Sequence, residues 1–121
     1  MTAAASAGHL DFDPAVLAGV FGADVALIRS VVSTYLESMA TAITELKLAL
    51  ANSDDSTAQA VAHRIKGASR MSGALVLADV AGQIERLAMV GDMPAVVLRM
   101  AELEVAWARL VTALSAPGAT A

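Results

Sequence analysis

The sequence predicts an all-α fold: an antiparallel up-and-down four-helix bundle with a short additional N-terminal helix. Three observations lead there. Hydrophobic residues make up 57% of the 121-residue chain, yet 28 residues are alanine and only four are aromatic, so the apolar mass lies in small side chains suited to close helix packing. Large apolar residues recur every three or four positions along four segments, and no segment sustains a period of two. The connections between those segments are short, which favours antiparallel neighbours.

Taken in order, Asp13-Pro14 has the pattern of a helix start, Asp as N-cap and Pro at the first helical position, leading to Val16, Leu17 and Val20 before Gly22 stops the turn. From Asp24 the residues Ile28, Val31, Val32, Tyr35, Leu36, Met39, Ile43, Leu46 and Leu50 form one helical face without Gly or Pro. One long helix, or two separated by a kink near Ser38 to Thr41, satisfies that spacing. Asn52-Ser53-Asp54-Asp55 closes this element and caps the next, whose buried stripe is Ala58, Val61, Ala62, Ile65, Ala68, Ser69 and Ser72. Gly73 is the natural turn. Leu77, Val80, Ala81, Ile84, Leu87 and Ala88 carry the following helix to Gly91-Asp92, and Pro94 falls in the first turn of the last. There Val96, Met100, Leu103, Trp107, Leu110 and Leu114 alternate spacings of four and three, the seam of a bundle helix. MTAAASAG and SAPGATA hold too little apolar area to offset the entropy of ordering them. The expected organisation is a flexible tail over 1–9, the bundle domain over 10–115 and a second tail over 116–121.

Composition narrows the function. A net charge of −4, with eight Lys and Arg spread along the chain, leaves no electrostatic footprint for nucleic acid. No segment approaches the roughly 20 large apolar residues of a membrane span. Without cysteine there is no disulfide framework, thiolate zinc site or cysteine nucleophile. His9 with Asp11 and Asp13 offers no useful ligand spacing to His63, so no metal site is expected. The first residues lack the basic and leucine-rich regions of a signal peptide, which makes the cytoplasm the expected compartment; a monomer is the expected state.

The third helix carries one face foreign to the core. At about 100° per residue, Gln59, Lys66, Gly67 and Arg70 fall within roughly 60° of His63, on the side opposite Ile65. That face is expected to meet solvent. A glycine inside an exposed helix costs about 1 kcal/mol relative to alanine, in a chain that uses alanine almost everywhere else. Missing bulk at Gly67, one turn from His63, would let another molecule approach the imidazole; tight helix packing is the alternative. Lys66 places a cation where an anion attached to His63 would sit, and a phosphoryl group is the obvious anion. Met71 lies about two turns from His63 and would join Gln59 and Arg70 in docking a partner. The other methionines, Met39, Met89, Met93 and Met100, read as core filler, and Trp107 as a core anchor.

Ala62-His63-Arg64-Ile65-Lys66-Gly67-Ala68 resembles the signature of histidine-containing phosphotransfer (HPt) domains of two-component phosphorelays, in which a phosphorylatable His is followed at +3 by Lys and at +4 by Gly. The resemblance continues through Gly73-Ala74, Leu77 and Ile84-Glu85, and the family's four-helix bundle agrees with the periodicity. Hairpin geometry adds a residue outside the short motif. With the turn centred on Gly73-Ala74, His63 lies 11 residues before Ala74 and Glu85 lies 11 after, which sets both at one level on antiparallel helices. By resemblance, Glu85 would accept from Nδ1–H of His63 and leave Nε2 as the nucleophile. An ordinary surface Glu paired with Arg86 or Lys66 is the competing reading.

The resemblance implies a phosphocarrier without turnover of its own. His63 would take a phosphoryl group from the aspartyl phosphate of one response-regulator receiver domain, as in a hybrid histidine kinase, and give it to the Asp of another. Lys66 would offset phosphoryl charge and Gly67 would permit approach. No cofactor is expected on this chain, and Mg²⁺ with its carboxylates would come from the receiver. Two rivals stand beside this: the phosphoacceptor domain of a chemotaxis-type kinase, charged from ATP, and a helical interaction module that is never phosphorylated. The chain carries no Gly-rich phosphate loop, second catalytic carboxylate pair or nucleotide motif to support an enzyme.

Overall fold

In the computed structural model, which describes residues 10–115, the chain forms five helices and, among those residues, no strand. They are α1 (Pro14–Phe21), α2 (Val25–Ala51), α3 (Asp55–Ser72), α4 (Leu75–Met89) and α5 (Met93–Leu114). The two tails expected at 1–9 and 116–121 lie outside the described residues. Four of the five helices start on an aspartate whose carboxylate accepts a backbone N–H of the first turn: Asp13 from Ala15, Asp24 from Leu27, Asp54 from Thr57 and Asp92 from Ala95. Each aspartate satisfies an otherwise unpaired donor and sets negative charge at the positive end of the helix dipole.

The helix α2 is continuous over 27 residues, which removes the kink considered near Ser38 to Thr41. At 1.5 Å per residue it is about 40 Å long. Its second half packs with α3, α4 and α5 around one core that includes Leu46, Ile65, Leu77, Ile84, Leu103 and Leu110. Its first half meets α1 in a smaller cluster of Leu17, Ile28 and Val32. Lys47 of α2 reaches Glu104 of α5 at 2.7 Å, an ion pair across the seam between first and last bundle helices. Three expected core positions differ. Val20 is 69% exposed, because α1 is a single short helix with one buried side, taken by Leu17. Trp107 is half-buried, its bulk lying against the core from outside, and Met89 is exposed at the end of α4.

The hairpin between α3 and α4 is the tightest connection and the one that matters for the site. Gly73 takes the left-handed conformation, φ +92°, which non-glycine residues adopt at a cost. It is also crossed by the N-terminal segment: Asp13 N–H donates to the Gly73 carbonyl at 2.8 Å, and a Cβ on Gly73 would collide with the Asp13 carbonyl oxygen. Val76 N–H donates to the Leu10 carbonyl at 3.2 Å. Residues 10–13 therefore strap the hairpin and hold α3 and α4 in one register. No helix among the described residues is long and apolar enough to cross a membrane.

Candidate functional site

Register places the site. Because the turn is centred on Gly73-Ala74, residues equally distant from Ala74 on the two helices face one another. His63 thus meets Glu85, and Lys66 meets Gly82. The His63 side chain is 66% exposed, and its Nδ1 lies 2.7 Å from Glu85 Oε2. Lys66 Nζ lies 2.6 Å from Glu85 Oε1, an ion pair rather than a well-aligned hydrogen bond. One carboxylate joins imidazole and ammonium.

The electrostatics assign the protons. Contact with the Lys66 ammonium holds the Glu85 carboxyl below its ordinary value; burial opposes this, and His63 adds to the lowering. Glu85 is therefore ionised near neutrality and can only accept. Nδ1 of a neutral His63 must carry the proton, which leaves the lone pair on Nε2. Among the described residues Nε2 has no hydrogen-bond partner.

The predicted polar face is less uniform than a helical wheel suggests. His63 and Arg70 are exposed, but Gln59, Lys66 and Gly67 are half-buried, because α4 covers the flank that carries Lys66. Gln59 joins His63 and Glu85, with Ser56 and Ala60, in an open hollow of about 470 Å³. Arg70 and Met71, the latter 76% exposed, sit about two turns further along α3 and outside that hollow. Asp11, weighed above for a metal, instead pairs with Arg109 at 3.2 Å, and Asp13 caps α1.

The two interior glycines of this hairpin occupy opposite situations. A Cβ on Gly67 would meet nothing within 4 Å, so packing does not demand a glycine there. A Cβ on Gly82 would lie 3.2 Å from Lys66 Cδ and 3.5 Å from Arg86 Nη1. Sequence reading passed over Gly82, although the register that sets Glu85 against His63 sets Gly82 against Lys66. It also set a Lys66 to Glu85 pair against the His63 to Glu85 contact as alternatives, whereas the carboxylate meets both groups, one on each oxygen. A second unforeseen feature lies behind the site: the Tyr35 hydroxyl and Ser69 Oγ share a buried hydrogen bond of 2.6 Å that ties α2 to α3. Burial pushes the Tyr35 phenol up to about 12, against the lowering effect of that bond.

The model of the Hpt domain family matches residues 30–116, well over half of the chain. The chain belongs to the Hpt domain family, the histidine phosphotransfer modules of phosphorelays. Neither a curated protein nor a solved structure gives a match.

Proposed function

We propose that the protein relays phosphoryl groups between the aspartates of response-regulator receiver domains, a hybrid histidine kinase among them, with His63 as the intermediate carrier. The observation that carries this reading is the exposed imidazole whose Nδ1 is held by Glu85 while Nε2 has no hydrogen-bond partner among the described residues. In the forward step the Nε2 lone pair attacks phosphorus, the N–P bond forms, and the acyl P–O bond breaks to release the receiver's aspartate as a carboxylate. Nδ1–H stays on Glu85 throughout, so the positive charge that develops on the ring lies beside an anion. Return of the phosphoryl group to a second receiver reverses the same bonds.

Phosphoryl transfer passes through a loose transition state in which positioning and charge neutralisation supply most of the catalysis. A carrier therefore needs little machinery of its own, and turnover belongs to its partners. Lys66 offsets phosphoryl charge, Gly67 leaves room for the partner's approach, and Gln59, Arg70 and Met71 contribute to docking. The remaining charge is met by Mg²⁺ held on the receiver's own carboxylates. The module works as a monomer in the cytoplasm.

The test is incubation with phosphorylated receiver domains and, separately, with ATP and the catalytic domain of a chemotaxis-type kinase. Acid-labile, base-stable label should reach the protein from receivers and not from the kinase, and His63→Gln should abolish it with melting temperature nearly intact. Label from the kinase alone would move the protein to the chemotaxis class. Undiminished labelling of His63→Gln would sink the assignment of the carrier residue.

A further inference from the structure

We propose that Gly82 is a positioning residue for this site: the notch left by its missing side chain seats the aliphatic stem of Lys66 and so holds the ammonium beside the carboxylate that orients His63. The inference rests on the phosphotransfer reading above and adds to it a residue outside the His63, Lys66, Gly67 motif.

Three observations carry it. Gly82 is buried in the middle of α4, where glycine is less favourable than alanine, so its presence in an alanine-rich chain calls for a compensating contact. That contact is the stem of Lys66, whose Cδ and Cγ would lie 3.2 and 3.8 Å from a Cβ at this position. The first distance is tighter than ordinary van der Waals contact, so a methyl at residue 82 makes the stem give by a few tenths of an ångström and a larger side chain displaces it. Finally, the Lys66 side chain is only 20% exposed and runs from this notch to Glu85 Oε1 at 2.6 Å. Gly19, the glycine inside α1, shows the contrast, since a Cβ there would meet nothing within 4 Å.

The functional consequence follows from entropy. A free lysine side chain loses much of its rotamer freedom when it is fixed. Here much of that ordering is complete before any phosphoryl group arrives, because the stem rests against α4 at Gly82 and the ammonium is held by Glu85. Imidazole and ammonium are then held within the span of a single carboxylate. Lys66 supplies its charge with little further ordering.

The experiment uses Gly82→Leu, which fills the notch, and Gly82→Ala, which adds one methyl at favourable helix propensity and keeps the test open if the larger side chain prevents folding. The first readout is the Glu85 carboxyl titration, followed by carbon-13 NMR in unphosphorylated protein. The charged groups facing that carboxyl are Lys66 and His63, with Arg86 next to Gly82. Evicting the ammonium should raise the Glu85 titration toward or above its ordinary value in Gly82→Leu, with a smaller shift of the same sign in Gly82→Ala. The second readout is transfer from a phosphorylated receiver. Gly82→Leu and Lys66→Ala should each slow it roughly tenfold, and Gly82→Leu should add no further loss in a Lys66→Ala background. A folded Gly82→Leu with an unshifted Glu85 titration overturns the proposal, as does an equal loss with and without Lys66. If wild-type protein accepts no phosphate from any receiver, the relay reading fails, and the carboxyl titration still decides whether Gly82 seats Lys66.

Discussion

His63 Nδ1 and Glu85 Oε2 meet at 2.7 Å although the residues are 22 positions apart and on different helices. The contact exists because the α3 to α4 turn is short, with Gly73 in the left-handed conformation, and because residues 10–13 cross it and fix its register. With Glu85 ionised by its contact with Lys66, the bond can run in one direction only, from Nδ1–H to carboxylate. That direction is what leaves Nε2 available.

Glu85→Gln should therefore change the ring before it changes the fold. A carboxamide offers both a donor and an acceptor, so His63 would no longer be held to the Nδ1–H tautomer. Nitrogen-15 NMR of the ring should show a redistribution of tautomers, with slower phosphorylation of His63. An unchanged tautomer ratio would mean that solvent or another helix orients the imidazole.

Gly67 should separate stability from function. Since a Cβ there meets nothing within 4 Å, Gly67→Ala should stabilise the domain by up to about 1 kcal/mol in a urea titration. Gly67→Gln should fold equally well and impede transfer by standing in the path of the receiver. Wild-type transfer rates in Gly67→Gln would refute the close-approach role.

Acid should weaken the fold partly through Glu85. Its folded-state value is depressed below the ordinary 4.5, so its contribution to stability is complete above the unfolded value and is lost as pH falls through the folded one. Urea midpoints followed downward from neutrality should thus fall more steeply below about pH 4.5 in wild type than in Glu85→Gln. Parallel curves would show that the Lys66 and His63 contacts contribute nothing net to folding.

Tyr35→Phe should cost about 1–2 kcal/mol, the penalty for leaving a buried hydroxyl without its partner. Ser69 is fully buried, and among the described residues its hydroxyl otherwise meets Met39 Sδ at 3.9 Å, a weak acceptor. Because Ser69 lies on the buried side of α3, phosphorylation of His63 should proceed at the wild-type rate in this variant. A urea titration alongside a labelling time course checks both halves.

Sequence alone determined the features that depend on residues close in the chain. Helix starts at Asp13 and Asp54 are legible because a cap and its N–H are two or three residues apart. The α2 to α5 stripes are legible because the period of a helix is local, and the pairing of His63 with Glu85 because a hairpin's register follows from its turn. Tertiary structure alone decided what happens between helices. A helical wheel gives Lys66 the same standing as Arg70, yet α4 covers one of them and leaves the other in solvent. Gly67 and Gly82 carry the same propensity penalty, and only the neighbouring helix distinguishes open space at one from the Lys66 stem at the other. Likewise the Tyr35 to Ser69 bond joins positions 34 apart that no periodicity links. These differences arise because packing depends on which surfaces α2, α3 and α4 bring within 4 Å of one another, and that proximity is a property of the assembled bundle rather than of any one helix.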